Sequence, residues 1–355
     1  MMAVATKSDS LYENLWKELN KLSPGERFLS VREIMKRYEV SQLTVDKALS
    51  RLREDGYLHQ MPGKGLFATE QVARFSQTTK PTLMLAVPQW LSVDVDVLER
   101  TAEAMRGEFP EHRLLVHKFN VDNTIPGELP LLEENVVGVI ILPAGGGLNA
   151  DDLKRFTAYP APLVVLGRHL DEFGIPSVGA DDNFAGHLGM HYLAARGHRK
   201  IGILLCEPHN PIIMERVKAI LDYAELHGVK TTMIDCEIKS GEMSINKTYR
   251  KFLRVIDAGF DFTALLSISG EATQGAVNAC LNRKVAIPEQ LSMIAIGGEK
   301  VTETFHPALT TVGIRFEEQV RLALKMLYRE ITANESAHAE YIRPQIIEHG
   351  SVKVR

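Results

Sequence analysis

Positive charge is not in excess: 41 lysines and arginines face 45 aspartates and glutamates, a formal net charge of -4 over 355 residues. That excludes a globally basic nucleic-acid binder. It leaves room for one local DNA-reading face, because net charge governs steering and solubility rather than any single surface. Cysteine is scarce as well. Cys206, Cys236 and Cys280 are odd in number, far apart and without a C-x-x-C pair, so no disulfide framework, metal site or cofactor is called for, and a reducing compartment fits. Long apolar runs are also missing. Nothing approaches the roughly 18 consecutive apolar residues of a membrane helix, and the N-terminus has no apolar signal-peptide core. The expectation is a soluble, cytoplasmic protein.

An apolar fraction of 45% in a chain longer than one usual domain predicts two or three folding units with well-buried cores. Composition changes near residue 75: residues 10–70 are dense in Lys, Arg and Glu at helical spacing, whereas short apolar runs alternate with amphipathic stretches from residue 82. The predicted domains are 1–75, a linker at 76–81 closed by Pro81, and 82–355. Strands are expected at 82–87, 114–118, 136–142, 163–166, 200–205, 232–235, 264–268 and 291–296, and helices at 97–109, 184–196, 213–227, 249–258 and 272–282. Such alternation predicts an α/β fold with parallel sheets covered on both faces.

Three helical segments precede Gly56. The first covers 11–22 and stops at Ser23-Pro24-Gly25; the second follows Ser30, with Glu33 in capping-box position; the third follows Ser41 and runs to about residue 55. In the third, Val45, Ala48, Leu49 and Leu52 recur at i, i+3, i+4 and i+7 and form the inward face. Outward lie Leu43, Thr44, Lys47, Ser50 and Arg51, with Gln42 at the start. Gln pairs bidentately with adenine, Thr touches several base edges, Lys and Arg hold phosphate or guanine, and an outward Leu43 suits a thymine methyl. Two short strands then flank Pro62-Gly63-Lys64-Gly65, a hairpin tip with flexible amides and one cation. The order is that of a winged helix.

The runs Phe28-Leu29-Ser30-Val31-Arg32-Glu33-Ile34, Val40-Ser41-Gln42-Leu43-Thr44-Val45-Asp46-Lys47-Ala48-Leu49 and Gly63-Lys64-Gly65-Leu66-Phe67 resemble the GntR-family winged-helix head across residues 11–69. The resemblance implies that Ser30, Arg32, the helix start from Ser41 and the wing residues Gly63, Lys64 and Gly65 meet DNA. Gln42 and Asp46 depart from it, since the family often carries Arg at both positions.

The larger part resembles the LacI-family effector domain, a fold related to periplasmic sugar-binding proteins. Ser177-Val178-Gly179-Ala180-Asp181, Gly197-His198-Arg199-Lys200-Ile201-Gly202, Arg216 with Ala219-Ile220, Ile287-Pro288-Glu289-Gln290-Leu291-Ser292 and Pro307-Ala308-Leu309-Thr310-Thr311-Val312 carry the likeness. It implies two lobes, one of about 82–180 and 297–322 and the other of about 181–296 and 323–345, with an effector between them. It places Arg216 on effector oxygens, which a planar guanidinium fork suits. Arg168, Asp181, Ser269, Gly297, Gln89 and Trp90 are the other ligand candidates, Trp90 serving equally well as a sugar-stacking ring or a partly buried core residue. Acids usual in the family give way to Gly167, Ser269-Gly270 and Gly297-Gly298, which weakens a simple-sugar reading and leaves a sugar acid or modified sugar open.

Head and body together resemble a composite class of repressors that includes the arabinose-responsive regulators. The expected function is a DNA-binding transcriptional regulator, a repressor of a double-stranded operator, modulated by a sugar or sugar derivative and acting as a homodimer. The alternative is a DNA-binding regulator whose body only dimerises. No catalytic constellation stands out, so an enzyme is not expected. Gly145-Gly146-Gly147 lacks the spacing of a phosphate loop, and His187 and His191 lack the glutamate of a zinc-protease helix.

Overall fold

The computed structural model describes residues 7–19, 22–70, 80–89, 93–120, 123–126, 135–145, 147–239 and 242–355. Most of the expected linker, 76–79, and Trp90 lie outside them. Two compact units emerge, Met1–Pro81 and Thr82–Arg355.

In the first unit, α1 (Lys7–Leu19), α2 (Val31–Tyr38) and α3 (Gln42–Glu54) precede an antiparallel hairpin of β1 (Leu58–Met61) and β2 (Gly65–Ala68). Ser30 and Glu33 form the capping box: the Ser30 hydroxyl accepts from the Glu33 amide at 3.4 Å, and the Ser30 amide donates to the Glu33 carboxylate at 2.6 Å. Ser41 caps α3 by its hydroxyl alone, accepting from the Thr44 amide at 3.4 Å. Leu11, Leu15 and Leu19 of α1 close over Ile34, Val45, Leu49 and Leu52, with Leu58 and Leu66 sealing the hairpin side. Each fully buried leucine contributes about 2 kcal/mol, so this small core depends on nearly every one. Backbone at Glu26 and Phe28 forms an isolated bridge beside β2, with Phe28 N donating to Leu66 O.

The second unit contains two six-stranded sheets. The first is ordered β13-β7-β6-β5-β3-β4, from β3 (Thr82–Pro88), β4 (Arg113–Phe119), β5 (Val136–Ile141), β6 (Leu163–Leu166), β7 (Ser177–Ala180) and β13 (Ala339–Ile342), all parallel. Leu83, Leu85 and Val87 of β3 face one apolar cluster, while Met84 and Ala86 face another. This period-two division explains why the strand reads as an unbroken apolar run. α4 (Val93–Met105) and α11 (Phe316–Ala333) cover the first face, and α5 (Ala150–Thr157) the second.

The other sheet is ordered β14-β12-β11-β10-β8-β9, from β8 (Lys200–Leu205), β9 (Lys230–Asp235), β10 (Ala264–Ser267), β11 (Ser292–Ile296), β12 (Thr310–Gly313) and β14 (Gln345–Ile347), with only β14 antiparallel. α6 (Asp182–Ala195), α7 (Pro211–Leu226), α8 (Ser244–Ala258), α9 (Thr273–Arg283) and the short α10 (Glu299–Thr302) belong to it. No helix among the described residues is long and apolar enough to cross a membrane.

The chain passes between lobes at 181, 314–315 and 343–344. The expected lobe assignment of 297–322 and 323–345 is therefore corrected. Residues 310–313 pair with β11 in lobe 2, whereas 316–333 and 339–342 belong to lobe 1. The cause is the apolar stripe Phe316, Val320, Ala323, Leu324 and Leu327, which has helical period and buries against β5, β6 and β7.

Candidate DNA-reading face and effector cleft

α3 turns its two faces as its spacing requires. Val45, Ala48, Leu49 and Leu52 are buried; Gln42, Leu43 and Lys47 are exposed, Leu43 at 67%. A leucine so exposed at the start of an amphipathic helix adds nothing to its own core. Thr44 is half-buried, its hydroxyl 2.9 Å from that of Ser41. Arg32 lies exposed on α2, and among the described residues no hydrogen bond or ion pair engages its side chain or that of Lys47.

Arg51 is placed differently. Its guanidinium lies 4.4 Å from the centre of the Tyr12 ring, and Tyr12 donates to Asp55 at 2.5 Å. Burial and that bond push the Tyr12 phenol up to about 12. Arg51 thus ties α1 to α3. Arg53 ties α3 to the hairpin, donating to Leu49 O, Ser50 and Gln60.

At the wing tip, Lys64 N donates to Met61 O, with Gly63 at φ +72° and Gly65 at φ +113°. These left-handed values favour glycine. A β-carbon at Gly65 would stand 3.2 Å from Arg27 Nε, so the Arg27 guanidinium lies over the wing. Sequence reasoning missed Arg27 because its placement depends on the Arg27–Phe67 bridge, a pairing across 40 residues of chain.

In the second unit, strands of both lobes end at a shared cleft, the usual ligand position in open α/β sheets. Arg216, on α7, is nine-tenths buried. Its Nε donates to Asp182 at 2.5 Å and its Nη1 to Ile268 O at 3.0 Å, while Nη2 has no partner among the described residues. Asp181 caps α6 by accepting from Phe184 N at 2.8 Å, so its neighbour Asp182 makes the arginine pair. Arg168 donates to Gly167 O and Ala144 O within lobe 1. Burial lowers it to about 10 against the pull of Asp182 and Asp94. The Ser269 hydroxyl donates to Glu207 at 2.7 Å. Gln89 is exposed beyond β3, its backbone N–H donating to Phe119 O.

Gly297 is not an open position. A β-carbon on Gly270 would fall 2.1 Å from the Gly297 carbonyl oxygen, so the two loops meet backbone to backbone. The acids come instead from neighbouring positions: Glu271 beside Gly270, Glu299 beside Gly298, Glu207 after β8 and Asp94 in the first turn of α4. Asp94 is raised to about 6, by burial and then by the Glu271 and Glu299 carboxylates, with Arg216 and Arg168 opposing. Burial also raises Glu207 and Glu271. Sequence reasoning missed these four because it searched the glycine positions themselves. Across the cleft mouth, Asn210 Nδ2 donates to Gly145 O at 3.2 Å, and Asn210 Oδ1 caps α7.

Comparison with known proteins agrees with both halves. Residues 7–67 match the model of bacterial regulatory proteins of the gntR family, and residues 190–352 that of the periplasmic binding protein-like domain. The chain is 24% identical over 330 residues to the NTD biosynthesis operon regulator NtdR of Bacillus subtilis, covering 88% of this chain and 96% of that protein. It is 25% identical over 191 residues to the arabinose metabolism transcriptional repressor of Geobacillus stearothermophilus, 52% of either chain. A LacI family transcriptional regulator from Enterococcus faecium, solved with bound ribose, superposes with a TM-score of 0.63 at 18% identity, over 77% of this chain and 99% of that one; at that identity the likeness establishes fold. The chain is therefore a transcriptional regulator that joins a gntR-type DNA-binding head to a periplasmic binding protein-like body.

Proposed function

We propose that the protein is a cytoplasmic repressor, a homodimer on a two-half-site operator, whose DNA affinity is set by a sugar or sugar derivative held between the two lobes. The carrying observation is the exposed surface of Arg32, Gln42, Leu43 and Lys47 beside the Gly63–Gly65 wing. Lys and Arg there supply phosphate contacts and Gln and Leu base-edge contacts. A single head of this kind reads one half-site, which supports a two-fold dimer. The α8–α9 pair leaves Met243, Ile245 and Leu281 exposed, apolar surface suited to self-association. For the body, the Nη2 of Arg216, without a partner among the described residues, and the four nearby carboxylates support an effector over a purely dimerising scaffold. A hinge crossed three times allows a ligand touching both lobes to bias their closure. The relatives named above, a repressor of arabinose metabolism and a ribose-bound regulator, support the sugar class.

The test is a fluorescence-anisotropy titration on the chain's own upstream DNA with Arg32→Ala and Lys47→Ala. Each is expected to weaken binding about tenfold, roughly 1.4 kcal/mol, while leaving thermal unfolding unchanged. Undiminished binding by both variants would remove this surface from the DNA interface.

A further inference from the structure

The head holds a cation that the α3 face and the wing tip do not account for, and its role rests on the reading of the head as a DNA binder. Arg27 is exposed, and among the described residues no hydrogen bond or ion pair engages its guanidinium. Its backbone is fixed in register. Arg27 bridges Phe67 in antiparallel sense, with Phe28 N donating to Leu66 O at 2.8 Å on one side and Ala68 N to Glu26 O at 3.0 Å on the other. Residues paired across a ladder share a face, as do alternate residues of one strand. Arg27, Phe67, His59 and Gly65 therefore present to one side, the rings of His59 and Phe67 5.8 Å apart. Leu58, Leu66 and Ala68 are buried on the other.

The guanidinium does not stay over its own bridge partner. It stands over Gly65, two residues nearer the wing tip, where a β-carbon would lie 3.2 Å from Nε, 3.7 Å from Nη2 and 3.8 Å from Cζ. The glycine leaves a bare strip of backbone along which the arginine reaches toward Lys64. The chain leaving Arg27 runs the same way, because antiparallel pairing carries it past Leu66 toward the Ser30 cap of α2. The adjacent acids are engaged elsewhere. Glu33, on which Arg27 acts electrostatically, accepts from the Ser30 amide at 2.6 Å, and Glu26 accepts from the Ser23 amide at 2.8 Å.

We propose that Arg27 is a DNA-phosphate contact, its guanidinium taking a backbone phosphate where the wing and the first turn of α2 approach the duplex. A planar fork donates twice to phosphate oxygens, and a side chain already braced along the wing loses less freedom on binding than a loose one. Base-edge groups belong to the outward face of α3, whereas Arg27 stands beside the wing, where contacts position the head.

The experiment is fluorescence anisotropy of the full-length protein on the chain's own upstream DNA and on an unrelated duplex of equal length, across a salt series. Arg27→Gln keeps a side chain over Gly65 without the charge. It is expected to weaken binding to both duplexes about tenfold, to lower the slope of log affinity against log salt by about one, and to leave thermal unfolding unchanged. Arg27→Lys, with the charge but not the fork, is expected to keep the slope and to bind about threefold more weakly than the wild type. Weakened binding with an unchanged slope for Arg27→Gln, or a lowered slope for Arg27→Lys, overturns the phosphate assignment. A loss confined to the upstream DNA makes Arg27 a base contact and overturns it too. Full affinity for Arg27→Gln beside a weakened Arg32→Ala removes Arg27 and leaves the reading face standing. Saturable binding of neither duplex by the wild type at about 50 mM salt overturns both.

Discussion

Leu43 is the residue whose position is least explained by its own fold. It is 67% exposed while its helix neighbours Val45 and Leu49 are buried, so Leu43→Ala removes no core contact. Chemical denaturation should show a change within about 0.5 kcal/mol. Operator affinity should fall about fivefold through the lost thymine-methyl contact, about 1 kcal/mol, measured by anisotropy. Arg51 should behave in the opposite sense. With its guanidinium over Tyr12, Arg51→Ala is expected to destabilise the head by about 0.5–1 kcal/mol and to weaken DNA binding less than Lys47→Ala does. In the body, Asp94 has its carboxyl raised to about 6 from an ordinary 3.8. The folded state binds that proton more tightly than the unfolded chain, so the contribution to stability is full below pH 4 and is lost as pH rises through 6. Asp94→Asn should therefore match the wild type near pH 4 and exceed it by about 1 kcal/mol at pH 7.5, a figure reduced for the solvent that still reaches one side of this residue. Urea midpoints at the two pH values check it.

Among elements, legibility followed periodicity. α3 was readable to the residue because its apolar spacing, its Ser41 cap and its outward polar face agree, and the Ser30–Glu33 capping box appeared as spelled. The interior strands β3, β5, β6, β8, β10 and β11 were equally plain, since burial on both faces leaves almost no polar interruption, whereas the edge strands β4 and β9 keep exposed polar residues. β7 and β12 are only four residues each and carry serine, threonine and glycine, so local propensity does not mark them as strands. α11 was legible in principle, but its stripe does not say which lobe it covers; that depends on where the chain crosses. The cleft acids were illegible for a related reason: Asp94, Glu207, Glu271 and Glu299 lie on separate elements that only the two sheets bring together. The Gly270–Gly297 loop contact gives the prediction at this scale. Gly270→Ala places a carbon 2.1 Å from a backbone oxygen with no flexible side chain to yield, so the body should lose about 2–3 kcal/mol. Calorimetry should show its transition lowered and that of the head unmoved.

For the molecule as a whole, a local basic surface on a chain of net charge -4 implies strong salt dependence with weak non-specific retention. The slope of log affinity against log salt should decrease by about one for Arg32→Ala, as one phosphate contact is lost. Sedimentation at micromolar concentration should give twice the mass of one chain; a monomer that still binds a palindromic operator with single-site stoichiometry would remove the dimer. The threading of the body has a further consequence, one of timing during synthesis. All strands of the head are present by Ala68, whereas lobe 1 lacks an edge strand until Ile342 and lobe 2 until Ile347. The head is complete on the ribosome long before either lobe of the body, and the two lobes reach completion within a few residues of each other. A nascent chain halted near residue 330 would carry a finished head and two unfinished lobes.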